Sequence, residues 1–153
     1  MADRHYNRQK IGSPQFVPPG RCLVLYARTG QGEAFWITSW PFAEYVKHEW
    51  AGAWVCSAFR NEAAALSSEL IIEALAASKA YFGPPPPLGM VTFVDTTKVR
   101  RKRDFGRCYL KAGFKHAGFT KGGLHALQIL PDAMPEPMTA HQMLPGPLFL
   151  EAI

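Results

Sequence analysis

The spacing of apolar residues changes along the chain and predicts strands on both sides of a central helix. Residues 22–28 and 33–38 are rich in apolar, β-branched and aromatic residues, and the segment 29–32 between them contains two glycines. Such a pattern predicts a β-hairpin with a tight turn. Residues 51–59 are apolar almost throughout, as expected for a strand that is covered on both faces.

The next segment has the spacing of a helix. Residues 61–81 are rich in Ala, Leu and Glu and predict a helix that ends at Gly83 and the prolines after it. Its apolar stripe consists of Leu66, Leu70, Ile71, Ala74 and Leu75. Residues 88–95 then predict a buried strand. A strand–helix–strand crossover makes its two strands parallel, and ligands usually bind at their carboxyl ends.

The rest of the chain contains shorter elements. Residues 107–112 predict one or two helical turns that end at Gly113, and residues 114–120 and 124–130 predict a closing hairpin. Residues 39–50 are aromatic but contain Pro41, so a short helix and an exposed loop both remain open.

The prolines divide the chain into three parts. We predict an extended arm over residues 1–20, one folded domain over 21–130, and a proline-rich tail over 131–153 that covers the domain without regular structure.

Composition and charge narrow the class of protein. The chain has 153 residues and a formal net charge of +5, which favours a polyanionic partner or ligand such as nucleic acid or a phosphorylated cofactor. It contains neither a membrane span nor a signal peptide, so we expect a cytoplasmic protein without a membrane partner. Cys22, Cys56 and Cys108 are expected to be buried, reduced thiols, and no metal site is predicted.

The junction between the apolar strand and the long helix is the first candidate binding site. A helix N-terminus presents unpaired N–H groups and a positive dipole end, and small side chains let a pyrophosphate approach them. An ordinary helix start, with Asn61 as its N-cap, remains the alternative. The candidate cofactor-binding residues are Ser57, Phe59, Arg60, Asn61, Glu62, Ala63, Ala64 and Ala65.

Two motifs resemble the GNAT superfamily of N-acyltransferases. Tyr109, Gly113 and Phe114 match its late Tyr-x-x-x-Gly-Phe turn, and Arg60, Ala63 and Ala65 stand where that family carries an Arg/Gln-x-x-Gly-x-Gly/Ala loop. Ala63 departs from the family's glycine. The resemblance implies an α/β (α+β) fold in which helices flank a mixed sheet with a central, splayed parallel strand pair. It also implies acetyl-CoA, or another acyl-CoA, as cofactor.

A narrower resemblance is to the Mom-like phage DNA-modification proteins, a divergent branch of the same fold. Its basis is Asn61 followed by Ser68 at the helix start, Asp95 at the end of a strand, and the turn that begins at Tyr109. The resemblance implies that an acyl-CoA donates a group to a nucleobase amine in DNA, with adenine favoured.

The resemblance also implies catalytic roles. Tyr109 would protonate the departing CoA thiolate, and Asp95 would orient or deprotonate the nucleophile. Ser68 is a weaker catalytic candidate. Structural roles remain open for all three: Tyr109 as a core residue, Asp95 as the cap of a turn, and Ser68 as an exposed helix residue.

A basic run lies between Asp95 and Tyr109. Its residues are Lys98, Arg100, Arg101, Lys102, Arg103 and Arg107. We predict that they contact DNA phosphates, with a solvated loop and a site for the 3′-phosphate of CoA as alternatives. Trp40, Tyr45 and Trp50 are candidates for stacking on an extruded base.

Two other functions stay open. One is an N-acetyltransferase that acts on a small-molecule or peptide amine and does not need the basic run. The other is a catalytically inactive nucleic-acid-binding module, for which the replacement of the family's glycine by Ala63 is the motivating observation.

Overall fold

One mixed sheet carries the fold, and the longer of two α-helices packs on one of its faces. The computed structural model describes residues 20–95, 106–140 and 151–152. Within these ranges the strands are β1 (Gly20–Arg28), β2 (Glu33–Pro41), β3 (Trp54–Glu62), β4 (Met90–Val94), β5 (Lys115–Phe119), β6 (His125–Ile129) and β7 (Glu151–Ala152). The helices are α1 (Ser67–Phe82) and α2 (Arg107–Lys111).

The strand order places the only parallel pair of the described sheet near its centre. The order is β5-β6-β4-β3-β2-β1-β7. β3 and β4 run parallel and are joined through α1, whereas every other neighbouring pair is antiparallel. The expected α+β architecture with a mixed sheet is therefore confirmed.

The first hairpin has the predicted position but is longer than predicted. β1 and β2 pair from Arg28 and Glu33 at the turn to Gly20 and Pro41 at the far end. Pro41 has no N–H to donate, and it is tolerated here because it stands at the last position of the strand, where that hydrogen bond is not needed. Of the segment expected to be a short helix or a loop, only Ala43–Tyr45 is helical, as a single 3₁₀ turn.

α1 starts six residues later than predicted. Asn61 and Glu62 belong to β3, where Asn61 pairs with Ala34 of β2, so the expected helix start at Asn61 is wrong. Leu66 occupies the N-cap position and is exposed, so it does not belong to the core stripe. The other stripe residues are buried against the sheet; they are Leu70, Ile71, Ala74 and Leu75.

A buried chain of hydrogen bonds fixes α1 on the sheet. Trp36 Nε1 donates to Thr38 Oγ1 (2.6 Å), which lies 2.7 Å from Ser78 Oγ. The Ser78 hydroxyl donates to the Ala74 carbonyl, one turn earlier in α1 (2.7 Å). Because each of these buried polar atoms has a partner, these hydrogen bonds fix the position of α1 at little cost in desolvation.

The C-terminal part of the described chain returns to the helix and the sheet edge. The Met138 N–H donates to the Ala76 carbonyl (3.1 Å), and Lys79 Nζ donates to the Pro135 carbonyl (2.9 Å). The expectation of a tail without regular structure is wrong at Glu151–Ala152, because β7 pairs there with β1. Of the expected N-terminal arm, only Gly20 lies within the described residues, and it begins β1.

The cysteines differ in exposure. Cys56 is buried, Cys108 is half-buried and Cys22 is exposed, so the expectation of three buried thiols is wrong for Cys22.

In the described parts of the chain, no helix combines the length and apolar character that crossing a bilayer requires.

Candidate active site

The parallel strands β3 and β4 are joined by three residue pairs. Their ladder runs from Trp54–Met90 to Cys56–Thr92. On the other side of β3, Ile37 pairs with Ala58 and Thr38 with Cys56, so Ser57 is an extra residue, a β-bulge. A bulge bends its strand and increases the local twist. Among the described residues no β3–β4 pair follows Cys56 and Thr92, and we call this unpaired end of the two strands, toward their carboxyl ends, the fork.

The hydroxyl of Tyr109 lies at the closed end of this fork. It is 3.6 Å from Cys56 Sγ, in the last paired position of β3. Three aromatic rings hold the phenol ring, with centroid distances of 5.4 Å to Phe114, 6.2 Å to Phe59 and 6.4 Å to Trp36. Because these rings come from different elements, the hydroxyl has a defined position.

The Tyr-x-x-x-Gly-Phe motif forms the turn that makes this packing possible. The Phe114 N–H donates to the Tyr109 carbonyl (3.0 Å), and Gly113 has a φ of 111°, a conformation that favours glycine. The chain thus reverses direction after α2 and brings the Phe114 ring edge-on against Tyr109.

Cys56 supplies a neutral wall opposite the hydroxyl. Burial raises the pKa of its thiol to about 12, so the thiol stays protonated at neutral pH and is no nucleophile. The contact between Cys56 and Tyr109 joins residues 53 positions apart, and no local pattern in the sequence indicated it.

Asn61 orders the loop between β3 and α1. Its Nδ2 donates to the Ala65 carbonyl (2.7 Å) and to Ser67 Oγ (2.9 Å), and its Oδ1 accepts from the Ala64 N–H (3.0 Å). Asn61 therefore spans the whole loop, whereas an N-cap would bond only to the first turn of the helix. Ala63, within this loop, has a φ of 65°, in the left-handed region.

The turn between β1 and β2 supports the same loop from outside. Thr29 Oγ1 donates to the Ala64 carbonyl (2.7 Å), and Ala63 forms an isolated bridge with Glu33. Gly32 lies against the Glu62 and Ala63 backbone, with no room for a Cβ. The loop before α1 is consequently held in one shape by contacts on both of its sides.

The predicted cofactor residues lie on both faces of the sheet. Phe59 and Asn61 lie on the face that α1 covers, where Phe59 packs on the core below the helix and Asn61 bonds to the start of α1. Arg60 and Glu62 lie on the opposite face and form an ion pair with an N–O distance of 3.2 Å. The Ser57 hydroxyl is also on that face, 2.6 Å from Ser39 Oγ.

The predicted catalytic residues share one edge of the sheet. Ser68 is the second residue of α1, and Asp95 directly follows β4. Both therefore lie at the carboxyl end of the parallel pair, toward which the fork near Tyr109 opens.

The predicted DNA-binding residues are described in part. Arg107 is exposed and begins α2, whereas Lys98, Arg100, Arg101, Lys102 and Arg103 lie outside the described residues.

The predicted stacking residues differ in exposure. Trp50 is buried, and Trp40 packs edge-on against Trp54 and Phe82, so neither presents a free face as a stacking platform. Tyr45 is exposed beside Phe42. The prediction of a stacking loop is therefore wrong for both tryptophans.

In the parts of the chain that the structure describes, no group of three or more His, Cys, Asp or Glu residues is arranged to hold a metal ion.

Comparisons with protein-family models, curated proteins and solved structures give no match. The fork and the tyrosine at its closed end are the features from which a function can be inferred.

Proposed function

We propose that this protein is an acyl-CoA-dependent acyltransferase that modifies a nucleobase amine in DNA, with adenine favoured. The observation that carries the proposal is the Tyr109 hydroxyl at the closed end of the β3–β4 fork. Beyond Cys56, β3 pairs with β2, and no pair with β4 follows among the described residues. A thioester bound beside this end of the ladder would bring its sulfur toward the hydroxyl.

Transfer would proceed by direct attack. The amine nitrogen forms a bond to the acyl carbon while the carbon–sulfur bond breaks and its electron pair stays on sulfur. The Tyr109 hydroxyl gives its proton to the CoA thiolate, and the Asp95 carboxylate takes the proton that the amine loses. Solvent then restores both groups. A positioned proton donor is worth about two to four orders of magnitude in rate.

The first N–H groups of α1 would hold the CoA pyrophosphate. Ala63 adopts the left-handed conformation at the position where the GNAT family carries glycine, and α1 begins four residues later, at Ser67. Arg60 lies on the other face, paired with Glu62, and is therefore not assigned to the pyrophosphate. Phe59 would contact the part of the cofactor nearest Tyr109.

The choice of DNA as acceptor rests on charge. The formal net charge is +5, and six basic residues stand between Asp95 and Tyr109. Arg107, exposed at the start of α2, belongs to this run and is two residues from Tyr109. A polyanion bound there would contact α2, the helix that carries the proposed acid.

The test is the variant Tyr109→Phe with acetyl-CoA and duplex DNA as substrates. We expect acylated nucleosides, measured by mass spectrometry of digested DNA, to fall by about a hundredfold or more, since the variant lacks only the proton donor. Acetyl-CoA affinity, measured by calorimetry, should not change, because the phenyl ring keeps its packing. The matched control is Tyr81→Phe, which alters an exposed tyrosine of α1.

Other outcomes separate the alternatives. Full transfer by Tyr109→Phe would show that Tyr109 is not the acid. Acylation of small amines or peptides but not of DNA would indicate the N-acetyltransferase. DNA binding by a protein without affinity for acetyl-CoA would indicate an inactive binding module.

A further inference from the structure

A groove that the proposed mechanism does not use lies on the face of the sheet opposite α1. Its volume is about 490 Å³. Phe93, on the floor, packs with Trp50 in a separate cluster, whereas its neighbour Val94 belongs to the core under α1. The groove is thus on the other side of β4 from the ring cluster of Tyr109.

Three aromatic rings form the floor of the groove. The ring centroids of His48 and Phe93 are 4.9 Å apart, and Trp50 lies 5.8 Å from each of them. The rings come from the segment before β3 and from β4, so the fold itself builds the floor. The volume is within the range of about 300–1,000 Å³ that small-molecule sites occupy.

The floor carries no charge near neutral pH. His48 Nδ1 accepts a hydrogen bond from the Trp50 N–H (3.1 Å), which places the proton of the neutral ring on Nε2. Burial also lowers the pKa of His48, which keeps the ring neutral. A planar, uncharged ring is the ligand group that such a surface favours.

The rim supplies an exposed aromatic ring and positive charge. Phe119 is 63% exposed, and its ring centroid lies 4.7 Å from that of His125 on the neighbouring strand, with the two planes tilted by 40°. Lys47 and Lys121 also line the groove, together with one carboxylate, that of Glu49. Two ammonium groups at the rim suit a phosphate, and Glu49 can accept a hydrogen bond from an exocyclic amine.

We propose that this groove binds an unpaired nucleobase of single-stranded DNA, stacked on the exposed ring of Phe119, with the adjoining phosphate at Lys47 and Lys121. Stacking on aromatic side chains tolerates every base, because each base has a π-face. The groove and the Tyr109 hydroxyl lie on opposite faces of the sheet, so a base held here is not the reacting one. The site anchors a strand and operates without acyl transfer.

The test measures binding of a fluorescein-labelled oligothymidylate of twelve nucleotides by fluorescence anisotropy, without acetyl-CoA. Phe119→Ala should raise the Kd about fivefold or more, as expected for the loss of one stacking contact. Tyr81→Ala is the matched control, because Tyr81 is also exposed, at 55%, but lies on α1. Its Kd should equal that of the unaltered protein.

A second variant tests the charge and leaves every aromatic residue in place. Lys121→Gln should reduce the slope of log Kd against log salt by about 0.7, the value for one phosphate contact with a single strand. Lys121 lies in the β5–β6 turn, so the substitution does not disturb the core.

Two results would overturn the proposal: absence of oligothymidylate binding by the unaltered protein, and equal affinity of Phe119→Ala and Tyr81→Ala. If the unaltered protein sediments as a dimer and Phe119→Ala, with unchanged affinity, sediments as a monomer, the groove is instead an interface between two copies. These binding measurements contain no acetyl-CoA, so their results do not depend on whether the protein is an acyltransferase.

Discussion

Replacing Gly32 with alanine tests whether the β1–β2 turn holds the loop that precedes α1. A Cβ on Gly32 would overlap the Glu62 carbonyl oxygen and lie 2.9 Å from the carbonyl carbons of Glu62 and Ala63. All three atoms belong to the backbone, so no side-chain rotation relieves the overlap. The loop has to move, and its movement endangers the hydrogen bond from Thr29 Oγ1 to the Ala64 carbonyl.

The size of the effect follows from these contacts. Overpacking against well-packed surroundings costs about 1–3 kcal/mol, and loss of one hydrogen bond adds about 1 kcal/mol. Alanine also leaves the unfolded chain fewer conformations than glycine does, which stabilises the folded state by about 0.4–1 kcal/mol. We therefore expect the free energy of unfolding of Gly32→Ala to fall by about 2 kcal/mol.

Gly30 provides the control within the same turn. A Cβ there would meet no atom within 4 Å, so Gly30→Ala should be neutral or more stable by about 0.4–1 kcal/mol. Urea denaturation followed by tryptophan fluorescence measures both variants. If their free energies of unfolding agree within about 0.5 kcal/mol, the turn does not support the loop.

Two further predictions concern the backbone and pH. Ala63→Gly should raise the thermal midpoint or leave it unchanged, because glycine removes the cost of the left-handed conformation. The control Ala80→Gly, on the exposed face of α1, should destabilise the folded protein by about 1 kcal/mol. Burial lowers the pKa of His48 from 6.5, so below that pH the unfolded chain binds more protons than the folded one. The free energy of unfolding should therefore fall as the pH drops through about 6.5, less steeply in His48→Gln, as urea titrations at several pH values would show. An unchanged slope in that variant would contradict this role of His48.

The sequence predicts the elements of the fold better than their boundaries. The hairpins, the long helix and the parallel pair follow from periodicity and from glycine and proline positions, which act locally. The start of α1 does not follow, because the run Asn-Glu-Ala-Ala-Ala suits a helix. Pairing of Asn61 with Ala34 on β2, a contact between distant residues, overrides that preference.

The candidate site was predictable to a similar degree. The Tyr109 turn could be proposed because Tyr109, Gly113 and Phe114 match a motif of the GNAT family. Composition could not decide which aromatic residues are exposed, since the contacts that bury Trp50 and half-bury Trp40 form only in the folded chain. The groove beside Phe119 also escaped prediction, because its lining comes from three separate segments.

The bulge at Ser57 determines which predicted residues can serve the fork. Side chains alternate along a strand, so in a regular β3 the side chains of Arg60 and Glu62 would share the α1 face with Cys56. One extra residue reverses this alternation and places Phe59 and Asn61 there instead. Ser57 also directly follows Cys56, the last residue of β3 that pairs with β4. A single local irregularity thus lies next to the last β3–β4 pair, brings Phe59 to Tyr109, and lets Asn61 order the loop before α1.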